Sequence, residues 1–194
     1  AKRERVPIMD PVSMHFVMQL IRMSQPARIL EIGTAIGYSA LRMLEAKPDA
    51  KIVTIERDQE RYLEALRHIE ERGKGAAIQV ILGDAKDVLL QLQAQGEAFD
   101  FIFIDAAKSQ YENFFKLSEP LLTDRGMIVS DNVLFRGYVA GIGEPLDRHK
   151  KMIDKLKAFN TWLMNRTDFV TSIVPIGDGI AISLKQIKND TKES

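Results

Sequence analysis

The sequence predicts an α/β protein, a mostly parallel sheet with helices on both faces and an antiparallel hairpin at its C-terminal end. Apolar runs of strand type alternate with segments of helical period from about residue 10 to residue 165, which implies repeated strand–helix units. Two such runs stop abruptly on polar residues, at Asp105 and at Asp131-Asn132. The last two strands flank Gly177-Asp178-Gly179, a tight-turn tripeptide that joins neighbours antiparallel.

Asp10-Pro11 reads as an N-cap followed by proline at the first helical position, opening a helix over 11–23. A strand over 28–32 leads into a glycine loop and a helix over 38–46. A second strand over 51–56 precedes a charged amphipathic helix over 59–71. The third pair is a strand over 77–82 and a helix over 85–95. The fourth strand, 99–104, leads to Asp105 and a helix over 111–122; the fifth, 126–130, leads to Asp131. A glycine-containing loop over 133–145 and a long helix over 149–165 follow. The strands 169–175 and 180–184 complete seven, an unusual number and ending for a simple dinucleotide fold. Residues 1–194 read as one domain, with a polar tail over 185–194 that is expected to fray.

Twenty-seven basic and twenty-seven acidic side chains cancel, so no global field draws the chain to a polyanion or a membrane. Lys2, Arg3 and Arg5 form a local basic patch, read as a solvated terminus. There are no cysteines, which removes disulfides and thiolate metal sites and fits a reducing cytoplasm. No apolar run approaches the roughly 20 residues of a membrane helix. The chain starts at Ala1 without an initiator Met, inside a charged segment, and a longer natural protein is expected at this end.

In an open parallel sheet, ligands lie outside the carboxyl ends of the strands. Asp105, Asp131 and Asn132 all fall there and offer oxygen only, the donor set of hard cations such as Mg²⁺, Ca²⁺ or Mn²⁺. Lys108, three residues after the first carboxylate, is the candidate base. The plain alternative is that these residues cap a helix or start a turn, as Asp and Asn often do.

The first strand runs directly into Glu31-Ile32-Gly33-Thr34-Ala35-Ile36-Gly37-Tyr38-Ser39. Glycines here let the backbone turn and approach a ligand at a helix N-terminus. Glu56, at the end of the second strand, is placed to grip a ribose diol. An NAD-binding oxidoreductase shares both features, but its pyrophosphate loop is Gly-x-Gly-x-x-Gly, whereas this one is Gly-x-x-x-Gly. Glu31 would repel a pyrophosphate and welcome an ammonium and a sulfonium. Gly83-Asp84-Ala85 suits an adenine amino group, and the set favours S-adenosylmethionine.

These five motifs, Glu31 to Ser39, Thr54-Ile55-Glu56, Gly83-Asp84-Ala85, Asp105-Ala106-Ala107-Lys108 and Asp131-Asn132, resemble the cation-dependent O-methyltransferases. That family includes catechol and caffeoyl-CoA O-methyltransferases, and the resemblance runs from about Met9 to Leu184. Within it, the phrase from Asp131 to Gly137 and the compact length look closest to bacterial tRNA 5-hydroxyuridine methyltransferases. The resemblance implies a Rossmann-like class I methyltransferase with a seven-stranded sheet. It implies cofactor contacts from Met9, Glu31, Gly33, Tyr38, Ser39, Glu56, Asp84, Ala85 and Asp105. It implies Mg²⁺, or another divalent cation such as Mn²⁺, on Asp105, Asp131 and Asn132, with Lys108 and Asp105 catalytic. It also implies a further N-terminal helix and a homodimer.

Methyl transfer from a sulfonium is an in-line displacement on a positioned, deprotonated oxygen. A divalent cation chelating two adjacent substrate oxygens orients the acceptor and lowers its hydroxyl pKa. Lys108 can then take the proton if it is neutral, a form favoured by burial and a nearby cation, although Asp105 pulls the other way. The expected reaction is methylation of 5-hydroxyuridine at the tRNA wobble position, with Arg136 and Tyr138 touching the anticodon loop. The alternative is a small catechol or caffeoyl-CoA-type acceptor, which presents the same two oxygens. From another class, a cofactor-sensing binding protein is disfavoured by the intact Asp105, Lys108, Asp131 and Asn132. His15, His68 and His149 lack metal-ligand spacing. Trp162 with Phe159 and Leu163 reads as a packed helix face, and Met14, Met18 and Met23 as a core or dimer face.

Overall fold

The computed structural model describes residues 9–186. Lys2, Arg3 and Arg5, and the tail beyond Gln186, lie outside the described residues. In chain order the elements are α1 (Pro11–Ser24), β1 (Arg28–Ile32), α2 (Tyr38–Ala46), β2 (Lys51–Glu56), α3 (Gln59–Glu71) and β3 (Ile78–Leu82). Then follow α4 (Ala85–Ala94), β4 (Phe99–Ile104), α5 (Tyr111–Ser118), β5 (Leu122–Ser130), α6 (Asp147–Met164), β6 (Phe169–Val174) and β7 (Ile180–Lys185). The strands form one sheet in the order β3-β2-β1-β4-β5-β7-β6. β1 to β5 pair in parallel, and β7 pairs antiparallel with both β5 and β6.

Strand alternation sends the two halves of each strand's apolar set to opposite faces. On β4, Phe101 and Phe103 join Met14, Val17, Met18, Ile21, Met43 and Leu44 beneath α1 and α2. Ile102 and Ile104 join Leu89, Phe115, Leu156, Phe159 and Leu163 beneath α4, α5 and α6. The helices close on local signals. The Asp10 carboxylate accepts from Val12 N and Ser13 N at 3.0 and 3.1 Å, and Pro11 occupies the first turn, as the sequence predicted.

The fourth helix–strand junction departs from expectation. The helix predicted to reach residue 122 ends at Ser118, a 3₁₀ turn covers Glu119–Leu121, and β5 already starts at Leu122. Pro120 is the cause: it has no N–H to donate into the helix, so the chain leaves the α ladder although Glu119 itself keeps helical backbone at φ −53° and ψ −45°. β5 is therefore nine residues long, with a register shift against β4 between Phe99 and Phe101. Met14 and Met18 are core, but Met23 is 81% exposed and leaves that set. Among the described residues no helix is long and apolar enough to cross a membrane.

The strand order reverses between β1 and β4. At such a switch point the loops diverge to opposite faces and leave a crevice. Both Gly33 and Asp105 follow strands that border it.

Candidate active site

A cavity of about 1400 Å³ opens at that crevice. Its lining includes Met9, Gly33, Tyr38, Ser39, Glu56, Asp84, Ala85, Asp105, Lys108, Asn132 and Arg136, so most residues selected from sequence meet there. Glu31 and Asp131 sit just behind the wall, each wholly buried. Tyr138 does not line the cavity; it packs on Phe135 with ring centroids 6.2 Å apart.

The glycine loop is set by backbone crowding. Gly33 has φ +106°, and a Cβ there would lie 2.1 Å from the Asp105 carbonyl oxygen. The first glycine is thus required by the approach of the β4 loop, before any ligand arrives. Gly37, at φ +84°, precedes α2 as its N-cap without a side-chain cap. His68 reaches from α3 to the same loop, its Nδ1 2.9 Å from the Ile36 carbonyl oxygen, where it donates.

Glu31 faces α2, and its carboxylate accepts from Ser39 Oγ and, at 2.5 Å, from Thr54 Oγ1. Thr34 Oγ1 lies 2.6 Å from Thr54 Oγ1 and must be the donor, since the Thr54 proton already points at Glu31. Burial is the largest influence on Glu31 and pushes its pKa up to about 7, although the two hydroxyls pull it down. Sequence reasoning missed Thr34 and Thr54. Alternation along β2 gave the signal, because Thr54 faces the same way as Ile52, into the core.

Glu56 is also engaged by the chain. Its Oε2 accepts from Ala35 N at 2.8 Å, and its Oε1 from Arg57 N and Asp58 N at 3.0 and 2.9 Å. It therefore braces the glycine loop as well as facing the cavity. Asp84 plays two parts: it caps α4, accepting from Lys86 N at 2.9 Å, and it lines the cavity.

The β4–β5 side differs. Lys108 Nζ donates to Asp105 Oδ1 at 2.7 Å and to Tyr111 Oη at 2.8 Å, and Tyr111 donates to the Asp131 carbonyl at 2.9 Å. Burial pulls the Lys108 pKa down, but the Tyr111 oxygen and the Asp105 carboxylate more than offset it, so the net direction is up. Burial acts toward a neutral Lys108, as the sequence suggested, but Tyr111 and the opposing pull of Asp105 outweigh it, and Lys108 is an ammonium paired with Asp105. Asp131 has neither carboxylate oxygen hydrogen-bonded. Burial, and then the Asp105 charge, push its pKa up to about 7, against smaller opposing pulls from the Lys108 charge and the Asn132 N–H.

Among the described residues no cluster of three or more His, Cys, Asp or Glu side chains forms a metal cage. The set under consideration is two carboxylates and a carboxamide. Its fit to a hard cation rests on the Asp131 carboxylate, buried and unpartnered beside Asp105. A charge in that state calls for a counter-charge, and Lys108 already serves Asp105.

A family model described as O-methyltransferase matches residues 3–186. Catechol O-methyltransferase of Niastella koreensis is 36% identical over 126 residues, 64% of this chain and 57% of that protein. Flavonoid 3',5'-methyltransferase of Vitis vinifera is 32% identical over 178 residues, covering 86% of this chain and 74% of that protein. The crystal structure of the O-methyltransferase TomG from Streptomyces achromogenes, in complex with SAM, superposes with a TM-score of 0.80 at 28% identity, over 94% of this chain and 82% of that one. A match over nearly the whole chain, joined to a seven-stranded sheet with its cavity at the switch point, shows that the chain belongs to the O-methyltransferase family.

Proposed function

We propose that this protein transfers a methyl group from S-adenosylmethionine to a hydroxyl of a small acceptor carrying two vicinal oxygens, with a divalent cation held by Asp105, Asp131 and Asn132. The observation that carries the reading is the Asp131 carboxylate, buried, unpartnered and next to the glycine-loop cavity. Relatives named for catechol and flavonoid methylation support the small acceptor.

A sulfonium supplies an electrophilic methyl group with a neutral leaving group. The cation would bring the acceptor's two oxygens together and lower the pKa of the hydroxyl. The remaining work falls to the chain. Glu56 and Asp84 offer acceptors at the ends of β2 and β3, suited to a ribose diol and an adenine amino group. Ser39 lines the cavity with its hydroxyl donating to Glu31, which from behind it places negative charge at the α2 end. Negative charge there suits a ligand with an ammonium and a sulfonium. Lys108 Nζ, which donates to Asp105 Oδ1 and Tyr111 Oη, would take the acceptor's proton only in its neutral form, after its own ammonium proton has left to solvent, a loss that a cation on Asp105 would favour.

The other acceptor is 5-hydroxyuridine in a tRNA anticodon loop. Arg136, exposed on the cavity rim, is the feature that supports it, with the partly exposed Tyr138 on the same loop outside the cavity. One experiment tests both. Chelator-treated protein is assayed with a catechol and with an anticodon stem-loop carrying 5-hydroxyuridine, at two ionic strengths. Activity on the catechol that returns with Mg²⁺ or Mn²⁺ and changes little with salt is expected. Full activity in excess chelator would remove the metal. Strong, salt-sensitive methylation of the stem-loop with an idle catechol would replace the acceptor.

A further inference from the structure

We infer that Asn160 is a positioning residue for the Asp131–Asn132 pair, an inference that rests on the metal reading above. On α6 the buried residues Ile153, Leu156 and Leu163 form an apolar stripe whose spacing continues through position 160. An asparagine stands there instead of an aliphatic residue, only 8% exposed. Its Nδ2 donates to the Val133 carbonyl at 2.9 Å, while its Oδ1 has no hydrogen-bond partner. A buried amide with one end unsatisfied is a poor core residue, since the unpaired acceptor keeps its desolvation cost. The end that is bonded therefore indicates what the residue is for.

Val133 directly follows Asn132, whose backbone is left-handed at φ 56°. Asparagine tolerates that region better than other non-glycine residues, but extended and right-handed backbone remain open to it, and its surroundings decide which it keeps. Here the peptide groups on both sides of Asn132 are fastened. The Asp131 carbonyl accepts from Tyr111 Oη at 2.9 Å, Val133 N donates to the Gly179 carbonyl at 3.0 Å, and the Val133 carbonyl accepts from Asn160. With both flanks fixed, the Asn132 side chain stays at the cavity wall beside Asp131. Asn160 does not line the cavity, so any effect on it must pass through this backbone. Tyr111 would be an ambiguous probe, because it also binds Lys108. Asn160 has no such second partner on the reacting side.

The test is metal affinity. Mn²⁺ alone is titrated into the full chain and followed by electron paramagnetic resonance, with S-adenosylmethionine affinity measured separately by calorimetry. Asn160→Leu is expected to weaken Mn²⁺ about tenfold or more, the usual effect of removing an outer support of a metal ligand, with cofactor affinity within about twofold. If Asn160→Leu gives no cooperative melt, Asn160→Ser, whose hydroxyl is too short to reach Val133, is held to the same expectation. Unchanged Mn²⁺ affinity in a folded variant overturns the inference. Equal losses of Mn²⁺ and cofactor affinity also overturn it, because they indicate general damage. A wild-type protein that does not bind Mn²⁺ sinks the metal reading and takes this inference with it, a result distinct from the other two.

Discussion

On the β1–β3 side of the cavity the chain's own donors hold Glu31, Glu56 and Asp84, whereas on the β4–β5 side Asp131 is buried with neither oxygen bonded. The first region is assembled before a ligand arrives: its carboxylates shape the glycine loop and the α4 cap, and a ligand adds to bonds already made. The second carries a carboxylate that Lys108 offsets only in part, since that ammonium is paired to the neighbouring Asp105. Preorganised donors lower the ordering cost of binding a large organic ligand, while an unpaired buried carboxylate favours a compact cation. The difference assigns the two regions to two kinds of partner.

The comparison breaks most visibly at Asp131. Asp131→Asn should reduce methyl transfer to background while leaving S-adenosylmethionine affinity within about twofold. The same change should stabilise the metal-free protein by ~1–2 kcal/mol, because an unpaired charge leaves the interior. That corresponds to a melting temperature a few degrees higher. A lower melting temperature for the variant would mean that Asp131 has a partner in the protein and that the two regions are alike.

Glu31 sharpens the other side through pH. Its folded pKa of about 7 lies above the ordinary 4.5, so the folded state binds its proton more tightly than the unfolded chain does. The associated stability is fully present below pH 4.5 and is lost as pH rises through about 7. The total is roughly 3 kcal/mol, at about 1.4 kcal/mol for each tenfold difference in proton affinity between pKa 4.5 and about 7. Urea denaturation of the protein between pH 5 and pH 8 should show this fall together with that of Asp131, whose pKa is also pushed up to about 7, and Glu31→Gln should make the curve shallower without levelling it. Parallel curves for the two proteins would show that Glu31 does not carry the effect.

The smallest expected effect is at Glu56. Glu56→Ala should weaken S-adenosylmethionine by roughly 1–3 kcal/mol through lost charge-assisted hydrogen bonds. Because the same carboxylate braces Ala35 N, hydrogen exchange at the glycine loop should quicken even without the cofactor. Calorimetry that finds unchanged affinity removes Glu56 from the cofactor site, whatever the loop does.

Much of this was legible in the chain. Strands ending on Glu56, Asp105 and Asp131 could be placed because apolar runs stop at charges. The hairpin could be placed because Gly177-Asp178-Gly179 permits a tight turn. The end of α5 was also within reach, since Pro120 forbids the continuation that the apolar pattern suggested. Asn160 left a trace as the polar residue in an apolar stripe, although its partner, Val133, is 27 residues away. Tyr138 looked equivalent to Arg136 in sequence, and only the 3₁₀ turn over Tyr138–Ala140 separates them, leaving one on the cavity wall and the other off it.

The sequence by itself determined the element order, the parallel sheet with its terminal hairpin and the set of residues at the strand ends, because periodicity, glycine, proline and charge act over a few neighbouring residues. The tertiary structure decided which carboxylates are satisfied. Glu31 finds Thr54 across a strand pair, Gly33 meets the Asp105 carbonyl across another, and the Asp131 carboxylate finds no side-chain donor. Those outcomes depend on sheet order and burial, which bring together segments 20 to 70 residues apart and set the local dielectric, and no local pattern encodes either.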